Sequence, residues 1–150
     1  MDRILAKQRY KYHYLKKPDK CVFCTVEKEK IIYETKHSII IPNLFPYIYG
    51  HLLIIPKKHV IQPEELTKEE NQDLLDCILF AKKILTAELN PRGFNIGINL
   101  GDAGGSIDHL HWHIVPRFKG DIGFVSTIGN FQVFSKEPLE MAKDLRKRTI

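Results

Sequence analysis

The chain has little that would carry it into a membrane or assemble it into a repeat. Its longest apolar candidate, Gly50 to Ile55, spans six residues before Pro56, against the ~20 a membrane span needs. The opening stretch MDRILAKQRYKYHYLKK lacks the apolar centre of a secretory signal, so the expected setting is cytosolic (cytoplasmic). Internal repeats and low-complexity segments are absent, which excludes repeat arrays. Cysteine is scarce. Three residues, an odd number, cannot make a fully paired disulfide framework. No aromatic-basic RNA motif occurs, and nucleic acid is not an expected partner.

What is present has globular proportions. Hydrophobic residues make up 43% and charged residues 27% of the chain. Its 150 residues suit one domain around one hydrophobic core, with a basic N-terminal arm over residues 1–20. The net charge of +5 is concentrated at the ends, in Lys7, Arg9, Lys11, Lys16, Lys17 and Lys20, and in Lys143, Arg146, Lys147 and Arg148. Such a balance attracts anions such as nucleotides. Taken alone, the end clusters read as solvated surface.

Periodicity supplies the elements. Ile31 to Glu34 and Ser38 to Ile41 are short β-branched runs that read as a hairpin. Leu52 to Ile55 reads as a buried strand. Thr67 caps a helix, with Glu70 completing a capping box. Leu74, Ile78, Ala81 and Leu85, flanked by Leu75 and Ile84, form its apolar stripe, and Asn90-Pro91-Arg92-Gly93 ends it. Cys77 falls inside that pattern as a small buried side chain. Phe94 to Leu100 and His109 to Val115 read as further strands, the second ended by Pro116. Pro138 opens a last helix to about Arg148. Strands around one long helix predict an α+β fold with a mostly antiparallel sheet.

Two segments carry chemistry. In His109-Leu110-His111-Trp112-His113-Ile114-Val115, strand alternation would set three imidazoles on one face and apolar side chains on the other. Histidine can act near neutral pH as acid, base, nucleophile or metal ligand. The α-carbons of His109 and His113 would lie roughly 13 Å apart, so one metal would not hold all of them. Just upstream, Gly101-Asp102-Ala103-Gly104-Gly105-Ser106 could bring backbone N–H groups close to phosphate oxygens. By itself that loop would read as a turn, but its adjacency to the histidines favours phosphate binding. A further pair, Cys21 and Cys24, has the spacing of a zinc knuckle or a redox dithiol.

HLHWHIV resembles the signature of the histidine triad family of nucleotide hydrolases and transferases. Gly50 to His59 is similar to that family's earlier core strand, and Asn99 to Ser106 to its phosphate loop. Pro116 to Asp121 and on to Phe134 resembles the diadenosine polyphosphate branches. The resemblance covers most of the chain from Cys21 to about Leu139. It implies a histidine-triad fold with one long helix and a C-terminal helix. It also implies His111 as the nucleophile that attacks an α-phosphorus to form a nucleotidyl-histidine, with His113 contacting phosphate and supporting the leaving group. His51 matches a fourth histidine near the phosphate, Asn43 a ribose-binding position, and Asn99, Gly105 and Ser106 the phosphate loop. Gly105 stands where the family often has glutamine. His113 stands where the sugar-phosphate transferase branch has glutamine, which implies hydrolysis or phosphorolysis. In zinc-bearing relatives the positions of Cys21, Cys24, His59 and His109 form a structural Cys2His2 site. Homodimers are usual in the family.

The expected activity is therefore cleavage of a dinucleoside polyphosphate or nucleoside phosphoramidate at the α-phosphate of an adenine nucleotide. Competing readings are a nucleotide-binding regulator with little turnover and a hydrolase with catalytic metal at His111 and His113.

Overall fold

The computed structural model describes residues 20–101, 107–119 and 138–147. Its centre is an antiparallel sheet of five strands: β1 (Tyr33–Glu34), β2 (Ser38–Pro42), β3 (Leu52–Pro56), β4 (Gly93–Ile98) and β5 (Trp112–Arg117). They lie in the order β1-β2-β3-β5-β4. Among the described residues there are also two helices, α1 (Lys68–Leu89) and α2 (Pro138–Arg146), and short 3₁₀ turns at Lys28–Lys30 and Pro63–Glu65. The α+β architecture read from the sequence is the one observed. Among the described residues no helix is long and apolar enough to cross a membrane.

The unbroken apolar run of β3 has a physical reason, because both faces of the sheet are covered there. Leu52 and Ile54 join Ile40, Ile114 and the buried stripe of α1 in the main core, which Met141, Ala142 and Leu145 of α2 close. Leu53 and Ile55 turn the other way. With Ile39 and Ile41 they pack against Phe23, Val26 and Ile31. The segment carrying Cys21 and Cys24 thus lies on the sheet face opposite the helices.

Helix α1 begins as its sequence specifies. The Thr67 hydroxyl accepts from the Glu70 N–H at 3.2 Å, and the Glu70 carboxylate accepts from the Thr67 N–H at 2.8 Å. The helix ends on Asn90, which takes the left-handed conformation (φ 46°). Leu74, Cys77, Ile78, Ala81, Ile84 and Leu85 face the core. Leu75 does not, being 47% exposed.

The histidine segment departs from the expected strand His109–Val115. Regular pairing begins only at Trp112, opposite Ile54 of β3 and Ile98 of β4. Before it, the chain is held by other bonds: the Leu110 N–H donates to the Val60 carbonyl at 2.7 Å, and His109 Nε2 to the Pro56 carbonyl at 2.8 Å. Nor does Pro116 end the strand. It pairs with Phe94 inside β5, beyond the last partner on β3, where a missing N–H costs no ladder bond. Strand β4 runs Gly93–Ile98 rather than to Leu100, so Gly93 opens a strand instead of closing the helix. The C-terminal helix ends at Arg146. The basic arm before Lys20 lies outside the described residues.

Gly50, at φ +91°, turns the chain into β3 just before His51. A Cβ there would stand 2.6 Å from a Leu89 methyl and 2.8 Å from the Pro116 ring. Gly50→Ala combines a left-handed backbone with overpacking, and is expected to lower the unfolding free energy by roughly 2–4 kcal/mol. Urea unfolding measures it. A loss below about 0.5 kcal/mol, the scale of a neutral surface change, would mean that this turn is not tightly determined.

Candidate active site and metal centre

The pairing of β3 with β5 sets His113 opposite Leu53, and the pairing of β4 with β5 sets it opposite Gly97. Directly opposed residues share a face, so His113 projects from the side away from the helices. Glycine at 97 leaves room beside it, since a Cβ there would meet nothing within 4 Å.

His51 is fully buried and hydrogen-bonds His113, Nε2 to Nδ1, at 2.9 Å. The direction of that bond follows from its neighbour. The Tyr47 backbone N–H reaches His51 Nδ1 at 3.1 Å and can only donate. His51 Nδ1 therefore carries the lone pair and Nε2 the proton. His113 then accepts on Nδ1 and holds its own proton on Nε2. The Asn99 side-chain nitrogen lies 3.4 Å from that atom, so the Asn99 amide has to turn its oxygen toward His113 to accept the proton. Asn43 lies beside the pair. Its Oδ1 accepts from the Phe45 N–H at 2.9 Å, and its side-chain nitrogen lies 3.3–3.4 Å from the His51 ring nitrogens.

His111 is oriented from its own backbone. Its Nδ1 donates to the His109 carbonyl at 2.7 Å, which leaves the lone pair on Nε2. Burial pushes its pKa below the ordinary histidine value, against the opposing pull of that carbonyl. Burial thus favours the neutral form of the ring. Its centroid lies 5.0 Å from that of His113. On the other side, Phe23 meets it edge-on at 5.0 Å.

The second cluster adjoins the first. The ligand atoms of Cys21, Cys24, His59 and His109 all lie within 4.8 Å of one another. Sγ of Cys21 is 3.3 Å from His109 Nδ1, and Sγ of Cys24 is 3.2 Å from His59 Nδ1 and 3.6 Å from His109 Nδ1. Tetrahedral ligands at about 2.3 Å (sulfur) and 2.0 Å (nitrogen) stand about 3.5 Å apart, so the spacing fits a shared ion. The second shell fits too. His109 Nε2 donates to the Pro56 carbonyl, which directs its Nδ1 lone pair at the thiols. Burial lowers the His109 pKa, keeping the ring neutral for ligation. The Cys24 thiol is pushed up by burial and then by Cys21 beside it, a repulsion that a cation would reverse. Val60, Leu66 and Leu110 pack together and pin the loop bearing His59 against His109.

The described structure therefore brings His51, Asn43, Asn99, His111 and His113 into one site and the four metal-type side chains into another. Gly105 and Ser106 lie outside the described residues. Sequence reasoning missed Tyr47 and Phe23. Phe23 lies between the two cysteines, and the knuckle delivers it to the histidines. Tyr47 had no signal beyond its place four residues before His51.

A family model described as HIT domain matches residues 25–120. The chain belongs to the HIT domain family. It is 39% identical over 107 residues to a Mycobacterium tuberculosis (strain ATCC 25618 / H37Rv) protein named AP-4-A phosphorylase, covering 70% of this chain and 53% of that one. It is 37% identical over 93 residues to the bis(5'-nucleosyl)-tetraphosphatase [asymmetrical] of Schizosaccharomyces pombe, covering 61% and 51%. The chain thus spans about half the length of these relatives. Among solved structures, a Zn-bound histidine triad family protein from Mycobacterium smegmatis superposes with a TM-score of 0.69 at 27% identity, covering 85% of this chain and 91% of that one.

Cobalt(II) provides a direct test of the metal cluster. Added to chelator-treated protein, it is expected to give a thiolate charge-transfer band and strong tetrahedral visible absorption. Cys24→Ala should abolish the band. Weak octahedral absorption alone would show that the four side chains do not close on one ion.

Proposed function

We propose that the protein cleaves dinucleoside polyphosphates or nucleoside phosphoramidates at the α-phosphorus of an adenine nucleotide, through a nucleotidyl group carried on His111. One observation carries this reading: His111 Nδ1 is committed to the His109 carbonyl, so a neutral ring presents Nε2 next to the His113 N–H donor. The names of the phosphorylase and tetraphosphatase relatives support the substrate class.

The steps follow from the side chains. His111 Nε2 attacks the α-phosphorus and forms a P–N bond as the bond to the leaving group breaks. The ring turns cationic, and the His109 carbonyl stabilises the charge on Nδ1–H. His113 Nε2–H donates to the leaving atom as negative charge builds there. His51, held by Tyr47, keeps the His113 proton on that outward nitrogen. Asn99 orients His113, Asn43 binds ribose, and the loop with Gly105 and Ser106 contacts phosphate. Inorganic phosphate, or water that gives up its proton to solvent as it adds, then forms the new P–O bond as the P–N bond breaks, and His111 recovers its lone pair.

In the same reading zinc fills the Cys2His2 cluster. Its sphere is closed by four protein ligands, so when bound it supplies structure rather than reaction chemistry. It would fix His109, and with it the carbonyl that orients His111. Metal thiolates persist in a reducing compartment, which fits the cytosol. Two chains pair as a homodimer along β4, the longer of the two edge strands of the described sheet, where Ile96 is 42% exposed.

The decisive experiment incubates protein with diadenosine triphosphate, diadenosine tetraphosphate and adenosine phosphoramidate, with and without phosphate, under a non-acidic quench. Mass spectrometry is expected to find a nucleotidyl adduct on His111, and the products distinguish hydrolysis from phosphorolysis. His111→Ala should cut kcat at least about a thousandfold while nucleotide binding persists. Retained turnover would remove His111 as nucleophile. Tight binding without turnover in the wild type would leave a regulatory role, and chelator-sensitive turnover without an adduct would indicate catalytic metal.

Stripping zinc should lower both Tm and kcat, since the metal holds the segment that orients the nucleophile. Metal analysis is expected to give one zinc per chain. Protein purified without chelators that contained none would count against this part of the reading. Sedimentation should show the dimer, and Ile96→Lys should weaken it.

A further inference from the structure

The direction of the His51–His113 hydrogen bond decides whether His113 offers a proton or a lone pair to a ligand. Something must therefore hold His51 in one tautomer. Asn43 does not, because its side-chain nitrogen lies 3.4 Å from His51 Nδ1 and 3.3 Å from Nε2, nearly equidistant. Tyr47 does distinguish them. Its backbone N–H points at Nδ1 alone, at 3.1 Å. Its ring lies over the same imidazole, with centroids 4.6 Å apart and planes at 29°, and reaches to 6.2 Å from His113 at 23°. One residue thus grips His51 on its edge through the main chain and on its face through the ring. Because both belong to residue 47, packing the ring also places the amide.

We propose that Tyr47 is a positioning residue, its ring and its own N–H together locking His51 in the Nε2–H tautomer and so keeping the His113 proton on Nε2, aimed at the leaving group. This rests on the reading above that His113 serves the leaving group. The tautomer lock itself can be read without any turnover. The ring's part is to prevent His51 from tilting off the amide. Once it tilts, Nδ1 can take the proton and the His113 bond reverses, leaving a lone pair where a donor is needed.

The test uses full-length protein with ¹⁵N-labelled histidine, as wild type, Tyr47→Phe and Tyr47→Ala. Two-bond imidazole ¹H–¹⁵N spectra report the tautomers, assigned with His51→Gln and His113→Gln. Steady-state kinetics on diadenosine tetraphosphate report function. Wild type and Tyr47→Phe are expected to show Nε2–H at both rings, with kcat equal within about twofold. Tyr47→Ala should give averaged nitrogen shifts at His51 and lose about tenfold or more in kcat, part of what a placed proton donor contributes, with KM changed less than threefold. Tyr47→Leu keeps bulk without a flat ring and is read in the same way if the alanine variant does not fold. Unchanged tautomers in Tyr47→Ala overturn the proposal, whatever the rate. So does a rise in KM alone, which would make Tyr47 a ligand contact. If the wild type turns nothing over, the functional reading fails by itself, and the imidazole spectra still decide the role of Tyr47.

Discussion

His109 is the residue on which both sites depend. It is 2% exposed and carries more polar groups than such a position tolerates without partners. Each of those groups is used. Nδ1 faces the two thiols, Nε2 donates to Pro56 at the end of β3, and the backbone carbonyl accepts from His111. Moving the His109 ring disturbs the metal-type cluster, and moving its backbone disturbs the orientation of His111. Nothing soft separates the two, because the link is one residue and one 2.7 Å hydrogen bond.

The sheet makes this junction possible by stopping short. Had β5 begun at His109, that carbonyl could have been spent on a ladder bond to a neighbouring strand. Regular pairing instead starts at Trp112, and the His109 carbonyl goes to a side chain. The cost is carried by the Leu110 N–H on Val60 and by a small apolar cluster of Val60, Leu66 and Leu110. The same cluster brings His59 to the thiols. Beyond Trp112 the alternation of the strand resumes, with His113 in the site and Ile114 in the main core.

The elements were legible where local chemistry decides them. The capping box of α1, its apolar stripe and the buried run of β3 each obey short-range rules, and their bounds fall within a residue or two of those read from sequence. The clustering of Cys21, Cys24, His59 and His109 was legible only through family resemblance, since residues as distant in sequence as Cys21 and His109 share no local pattern. The start of β5 was not legible, because alternating histidines satisfy the strand pattern whether or not a neighbour pairs with them. Pro116 misled for a related reason. A proline forbids a ladder bond only where a partner strand is present, and the extent of β3 is a tertiary fact. Tyr47 was hidden because half of its contribution is a backbone N–H, which every residue but proline has.

Crowding explains why hydrogen-bond direction, rather than charge, organises the centre. The His51 and His113 rings lie 5.1 Å apart, and those of His111 and His113 5.0 Å. Two imidazolium ions at such a distance, with His51 fully buried, would repel strongly and lose their hydration. Instead a fixed backbone group tells each of two rings where its proton belongs: His51 by the Tyr47 amide, His111 by the His109 carbonyl. These two instructions have opposite senses. A donor at Nδ1 sends the His51 proton outward to His113, and an acceptor at Nδ1 draws the His111 proton inward and leaves the lone pair exposed. A pocket of chemically identical side chains thereby presents an N–H and a ring lone pair side by side, and the difference between them is written in the main chain.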